Sequence, residues 1–547
     1  MDDVLLHAVE LSGMFVALAA PLVVLGLVVP SLQRLWDDIH AAAMAEGLAR
    51  SAARWGARAA AIAGGAVLVE LPSRVAEIED TTLLGGVDGR LLARFTLGTL
   101  AGRLAVVEVV ALLGAALAAA RTRRDPLHAP AAWMATTGFA AVALVAHGIG
   151  GHAAAQPLGR GVAVTAELIH LLAASIWLGV LGHLFITRAA LRRGVAPGAR
   201  RLVAGMLARF SPLALASAGL LGVTGVVAAA RYLHTPTAVL NSAYGLTLLT
   251  KLGLTLPLLA GGFVNFRLVR PALDRATDPT PALTRLGRML ELEVVSGVMV
   301  IAIAGALATM VSPGSDGAFV LTSGEVKALL TPTYPGTAVG DPMTWLDAPT
   351  RTLEDLRYAE FTHHWSGVAV CLLGLAWLVQ QRGGRLGRRM GWVWPAILVP
   401  LAAFIAVASD PEFWPLGPVP LSVGLVNPAV LGHRVGAGLV VLLAVLGWRA
   451  WARRAPKQPL GEALPLILIV GSLLFLGHVH QGFASTDRLD TIIGVQHTII
   501  AALGLFAGVV RWLELREVLP RRAAGILWPG LIVTLGVMMA FWYHEVI

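Results

Sequence analysis

Charge is scarce in this chain of 547 residues: only 14% are Asp, Glu, Lys or Arg. A soluble domain carries about a quarter. With 56% hydrophobic residues, this shortage excludes a disordered chain and most soluble folds. Cysteine is nearly absent as well. Cys371 stands alone in an apolar run, so no disulfide within the chain can form and no thiolate cluster can hold zinc or iron–sulfur. Methionine is not enriched: there are 12, with no Met-x-x-Met run and only Met538-Met539 adjacent. A ladder of thioether ligands is therefore not visible. The chain has no Walker A loop, no Cys-x-x-Cys and no phosphorylation motif of a pumping ATPase, so nothing in it hydrolyses ATP. Its start, Met1-Asp2-Asp3, lacks the basic residues of a secretory signal, and the first apolar run reads as a retained helix.

What the chain has is apolar length. Runs of about twenty residues recur along it, and that is the length a helix needs to cross a bilayer. The 60 glycines and 30 prolines are spread through these runs, as membrane helices tolerate. The expected fold is all-α, a polytopic membrane helix bundle of about 14 transmembrane helices. Eight spans fall near 9–30, 53–72, 98–120, 131–151, 162–185, 210–230, 244–266 and 289–311. Six more fall near 363–380, 391–409, 429–449, 463–480, 493–512 and 525–543. The long acidic connection 312–362 divides an N-terminal eight-helix domain, 1–311, from a C-terminal six-helix domain, 363–547. No clear internal repeat relates the two.

The net charge of +9 sits in short loops, where basic residues orient helices; it does not point to nucleic acid. Alternate connections and their helix ends hold 30 Lys and Arg residues against 11 on the opposite parity, with Lys251 inside a span. The richer side is expected in the cytoplasm, which places both termini outside, in the periplasm where an outer membrane exists.

Histidine shows the reverse asymmetry. Of 15 histidines, 12 fall on the outer side, and only His40, His128 and His183 fall toward the cytoplasm. Neutral imidazole contributes little to orientation, so another cause is needed. Imidazole ligates copper, zinc, nickel or haem iron, and it also sits comfortably at headgroup level. Candidate metal ligands are His147, His152, Glu167, His170, His363, His364, His433, His478, His480 and His497. Glu167 and His170 are three apart and share one helix face in the outer half of a span, where either group is costly against lipid. His147 and His152 bracket a glycine-rich turn. Residues His363, His364, His433, His478, His480 and His497 lie at the outer ends of four C-terminal spans, where they could hold copper or, as axial ligands from two helices, a haem. Lys251 and Glu108, both inside spans, each need a partner or a polar path. Asn265 reads as a residue that glues helices together.

The stretch Gly151-His152-Ala153-Ala154-Ala155, with Ala166-Glu167-Leu168-Ile169-His170 and Ser175-Ile176-Trp177-Leu178-Gly179, resembles the copper resistance D family. So do Arg209-Phe210-Ser211-Pro212, Thr224-Gly225, Tyr244-Gly245, Lys251 and Asn265; together they cover about 147–305. The C-terminal part is similar to the extension of large members, through His363-His364-Trp365-Ser366-Gly367, Asp410-Pro411-Glu412-Phe413-Trp414-Pro415, His433-Arg434 and Gly477-His478-Val479-His480. Some relatives read Asn-His where this chain has His363-His364. The resemblance implies a multi-pass protein of the inner membrane that moves copper from periplasm to cytoplasm. It implies a separate periplasmic copper-binding partner of the C type, since no β-rich domain of that kind is present. Copper is the expected ligand and membrane lipid the surroundings. Two other readings stand beside transport: a haem-binding membrane oxidoreductase or metalloreductase, and a non-transporting protein that delivers copper to a periplasmic enzyme.

Overall fold

The computed structural model describes residues 2–79, 83–151, 159–275, 278–313, 319–336, 353–425, 427–452, 461–477 and 488–547. Among them the chain is helical, with one isolated bridge between Phe413 and Val419 and no strand. Eight long helices fill the first part: α1 Val4–Leu32, α2 Ile39–Ala76, α3 Leu100–Arg121, α4 Pro130–Gly150, α5 Arg160–Ile186, α6 Pro197–Leu233, α7 Ala243–Leu273 and α8 Thr280–Thr309. Six follow: α9 Leu353–Arg382, α10 Gly384–Ala408, α11 Val430–Ala452, α12 Ala463–Leu476, α13 Arg488–Leu515 and α14 Arg521–Phe541. Thirteen of these are long and apolar enough to cross a membrane; α12 is the shorter one. They fall at the fourteen expected places, so the chain is a polytopic helical membrane protein.

Local signals set the helix ends. Asp38 caps α2, accepting from the backbone N–H groups of His40 and Ala41 at 3.0 and 3.1 Å. Thr99 caps α3 through the Gly102 N–H at 2.9 Å. Pro130 opens α4, where its missing N–H costs nothing. Helix α9 begins ten residues before the expected 363. Glu354 and Asp355 in its first turn complement the positive end of the helix dipole, and a polar helical turn shows no apolar run to a hydropathy reading. His363 and His364 thus sit inside a helix already under way.

The chain forms two compact units that are discontinuous in sequence. One comprises Asp2–Tyr232 and Lys251–Ala308; the other comprises Leu233–Thr250 and Thr309–Ile547. The first unit is centred on α1, α2 and α5 with parts of α6 and α8. Val24, Leu27, Leu181, Leu202 and Met206 are fully or almost fully buried there. Among the described residues, π-helical turns interrupt this unit at Leu22–Val28, Ser175–Gly179 and Asn265–Val269. At the second, a side chain on Gly179 would meet the Phe15 carbonyl at 2.2 Å, so only glycine lets α5 approach α1 this closely. Such turns release carbonyls from the regular ladder and often lie near functional groups.

The second unit is built around α13, the most buried of its spans at 78% of its apolar window. Trp377, Trp394 and Trp528 pack against one another in its core, with ring centroids 5.6 and 5.0 Å from Trp377. Outward-facing Leu215, Val223 and Val226 on α6 and Leu256 and Phe263 on α7 are well exposed. A hydrocarbon surround makes that exposure favourable, whereas water would not.

Candidate metal sites

In the first unit, antiparallel helices bring polar residues together at one end. His7 and Glu10 are one turn apart on α1. Glu10 reaches α4, where its Oε1 lies 2.6 Å from His147 Nδ1; its Oε2 lies 3.6 Å from His7 Nδ1. The His7 and His147 rings stack with centroids 5.1 Å apart. Glu108 of α3 completes the group, its Oε1 accepting from His147 Nδ1 at 3.2 Å. One atom from each of His7, Glu10 and His147 lies within 4.8 Å of the others, a spacing that can hold a metal ion. Glu108 thereby has the partner its position in a span demands. Glu70, also near this end, is paired with Arg74 at 3.0 Å.

Glu167 and His170 of α5 lie in the same unit, and both lie within reach of the Lys251 charge. His170 Nδ1 is 2.8 Å from the Thr224 hydroxyl on α6. That hydroxyl donates its own hydrogen to the Leu220 carbonyl at 2.7 Å. It therefore accepts from His170, whose Nδ1 carries the proton and whose Nε2 carries the lone pair. Lys251 of α7 interacts electrostatically with both Glu167 and His170, and Tyr232 interacts with Glu167. Further along α7, Asn265 donates to Glu293 of α8 at 2.9 Å. His183 donates from Nε2 to the Val16 carbonyl at 2.9 Å, which holds α5 to α1.

The second unit brings other histidines together. His363 donates from Nδ1 to its own helix at Ala359, 2.8 Å away, and stacks on Tyr543 at 3.9 Å between centroids. His497 lies 5.6 Å from His363, ring to ring, and its Nε2 is 3.4 Å from the Tyr543 hydroxyl. That hydroxyl donates to Glu545 at 2.9 Å. His364 faces another way, donating from Nε2 to the Tyr543 carbonyl at 2.9 Å. His433 is bonded through Nδ1 to Asp410, at 2.9 and 3.0 Å from the two carboxylate oxygens. It also acts on His363 electrostatically. His363 and His433 each have Nδ1 held by a backbone or carboxylate oxygen, the kind of contact that orients a histidine ring. His152, His478 and His480 lie outside the described residues.

The sequence reading passed over Glu10 and Glu293 and gave His7 no special role. His7 and Glu10 share the three-residue spacing that drew attention to Glu167 and His170, at the start of the first span. Glu293 lies in a span that also holds Glu291, two carboxylates where lipid tolerates neither.

Residues 204–307 match the family model of copper resistance protein D. This stretch is similar to copper resistance protein D. It contains Thr224, Lys251, Asn265 and Glu293; His170, earlier in the chain, contacts it through Thr224, and Glu167 acts on it through the charge of Lys251. A curated relative, the copper transport protein CutJ of Bacillus subtilis (strain 168), is 28% identical over 181 residues. The similar part is 33% of this chain and 31% of the relative, so less than a third of CutJ is covered. No solved structure matches the chain.

Proposed function

We propose that this protein moves copper ions across a membrane, inward from the periplasm, through a polar path that includes Glu167 and His170. The observation that carries this reading is the similarity of residues 204–307 to copper resistance protein D. The name of the similar CutJ, a copper transport protein, points the same way. Supporting chemistry stands beside that region. His170 offers Nε2 in a neutral tautomer fixed by Thr224, and Glu167 lies on the same helix face. Copper suits imidazole and carboxylate ligands in its divalent form, and two or three imidazoles in its monovalent form. Lys251 balances Glu167 while no cation is bound. The proposed surroundings are the inner membrane, with both termini outside. A separate periplasmic copper-binding protein of the C type would deliver the ion, and His363, His433 and His497 would receive it on the same side.

Copper uptake by proteoliposomes, read with an internal copper-sensitive dye, tests the reading. The parent should take up copper well above empty liposomes, and His170→Ala should slow uptake about tenfold or more while eluting as folded protein. No uptake by the parent in either orientation would remove transport and favour copper delivery. A stoichiometric Soret band from purified protein would replace it with a haem-based oxidoreductase.

A further inference from the structure

The end of the first unit that holds His7, Glu10 and His147 lies outside residues 204–307 and needs its own account. Glu10 has 1% of its side chain exposed. Its two oxygens have no directed hydrogen bond among the described residues. His147 Nδ1 lies close to it, but its single Nδ1–H is aimed at Glu108. Arg74 is hydrogen-bonded to Glu70 and acts on Glu10 and Glu108 electrostatically. The charge of Glu10 is compensated only by the imidazoles of His147 and His7, 2.6 and 3.6 Å away, and only while one of them carries a second proton.

We propose that His7, Glu10 and His147 form a binding site for a divalent metal ion of the copper or zinc class, in which His147 Nδ1 gives up its proton and its contact with Glu108 to take the ion, the ring then carrying its proton on Nε2. Two donors bound to one such ion at about 2.1 Å stand roughly 3–3.5 Å apart. The Glu10 oxygens lie 2.6 and 3.6 Å from the two imidazole nitrogens, so small side-chain rotations bring all three donors onto one ion. Two imidazoles and one carboxylate are borderline ligands, suited to Cu(II) and Zn(II) and ill suited to Mg(II) or Ca(II). Glu10 and Glu108 supply the negative charge that a divalent ion neutralises. Three protein ligands leave a fourth position open, which suits a site that must release its ion again. The choice of copper rests on the transport reading above; the site itself does not.

Titrating the purified full-length protein in lipid nanodiscs with Cu(II) chloride tests this, followed by paramagnetic resonance for nitrogen ligation. Glu10→Gln keeps shape and removes the charge. His7→Gln lies at the rim and disturbs packing less, so it decides the matter should Glu10→Gln fail to fold. The expected result is that each folded variant loses one nitrogen-ligated copper equivalent, or binds it about tenfold more weakly or worse. Unchanged stoichiometry and an unchanged spectrum in the folded variants would overturn the site. Failure of the two proposals separates cleanly. A parent that loses this copper on mutation yet never transports keeps the site and loses the transport reading. A parent that transports while both variants bind copper unchanged does the reverse.

Discussion

A histidine offers a metal only the nitrogen that its neighbours leave. Spacing along the sequence places an imidazole on a helix face; its tautomer is set by residues far away in the chain. His170 illustrates this, since Thr224, 54 positions on, decides that Nε2 holds the lone pair. His363 takes the same form through a carbonyl on its own helix, and His364, one residue later, takes the opposite form. Outside the spans, the same reasoning applies to Glu325. It closes a capping box, accepting from the Thr322 backbone N–H at 2.7 Å and the Thr322 hydroxyl at 2.8 Å, and it pairs with Arg488. Those bonds, the backbone one first, hold its carboxyl below the usual carboxylate range. A depressed folded value means that the contribution of Glu325 is fully present above the unfolded value of about 4.3. It is lost as pH falls through the folded value. Hydrogen exchange of the amides in Ser323–Leu329 should therefore be slower in the parent than in Glu325→Gln at pH 6. The gap should shrink steadily below about pH 4. A gap that stays constant down to acid pH would show that the charge of Glu325 is not what holds the cap.

At the scale of elements, the fourteen helices were legible because a bilayer imposes a length of about twenty apolar residues whatever the sequence does otherwise. The ends were less so. Polar first turns such as Glu354 and Asp355 extend a helix without extending its apolar run. Contacts between spans were barely legible: Glu167 and His170 were found by their spacing, but Thr224 and Lys251 as their partners were not. His147 was singled out, whereas Glu10 was passed over because one carboxylate near a helix start reads as interfacial. Close approach between helices follows small residues, and here it has a sharp case. Gly367 on α9 and Gly536 on α14 face each other's backbones. A side chain on Gly536 would meet the Cys371 nitrogen at 2.3 Å and one on Gly367 would meet the Ala540 nitrogen at 2.4 Å. Backbone cannot move aside as a side-chain tip can, so Gly536→Leu must push the helices apart. Overpacking of this kind costs about 1–3 kcal/mol or more. The variant should unfold at lower temperature than the parent in the same detergent, and Gly530→Leu, with open space around that position, should not. Equal losses from both would mean that the close approach does not stabilise the pair.

For the whole molecule, the functional proposals depend on which side of the membrane the histidines face, and the basic residues bear on that directly. Thirty Lys and Arg residues lie on one parity of connections and helix ends and 11 on the other. Short loops rich in such residues stay in the cytoplasm during insertion. An even number of spans then returns the chain to the side from which it began, so the first turn of α1 and the segment after α14 are both expected to face outward. The structure gives this expectation chemical content unit by unit. In the first unit, His7 and Glu10 at the start of α1 meet His147 at the finish of α4, as alternation requires of groups on one face. In the second, His363 in the first half of α9 and His497 in the first half of α13 meet Tyr543 beyond the finish of α14. Each cluster is thus internally consistent with helices that alternate in direction. A reporter enzyme that matures only in the periplasm, fused after Ile547, should be active, and one fused in the basic loop after Arg123 should be silent. A cytoplasm-only fluorescent protein should give the opposite pattern at the same two positions. If the fusion after Ile547 fluoresces instead, both termini are inside and the clusters face the cytoplasm. The same imidazoles would then serve release of copper rather than its capture from a periplasmic partner.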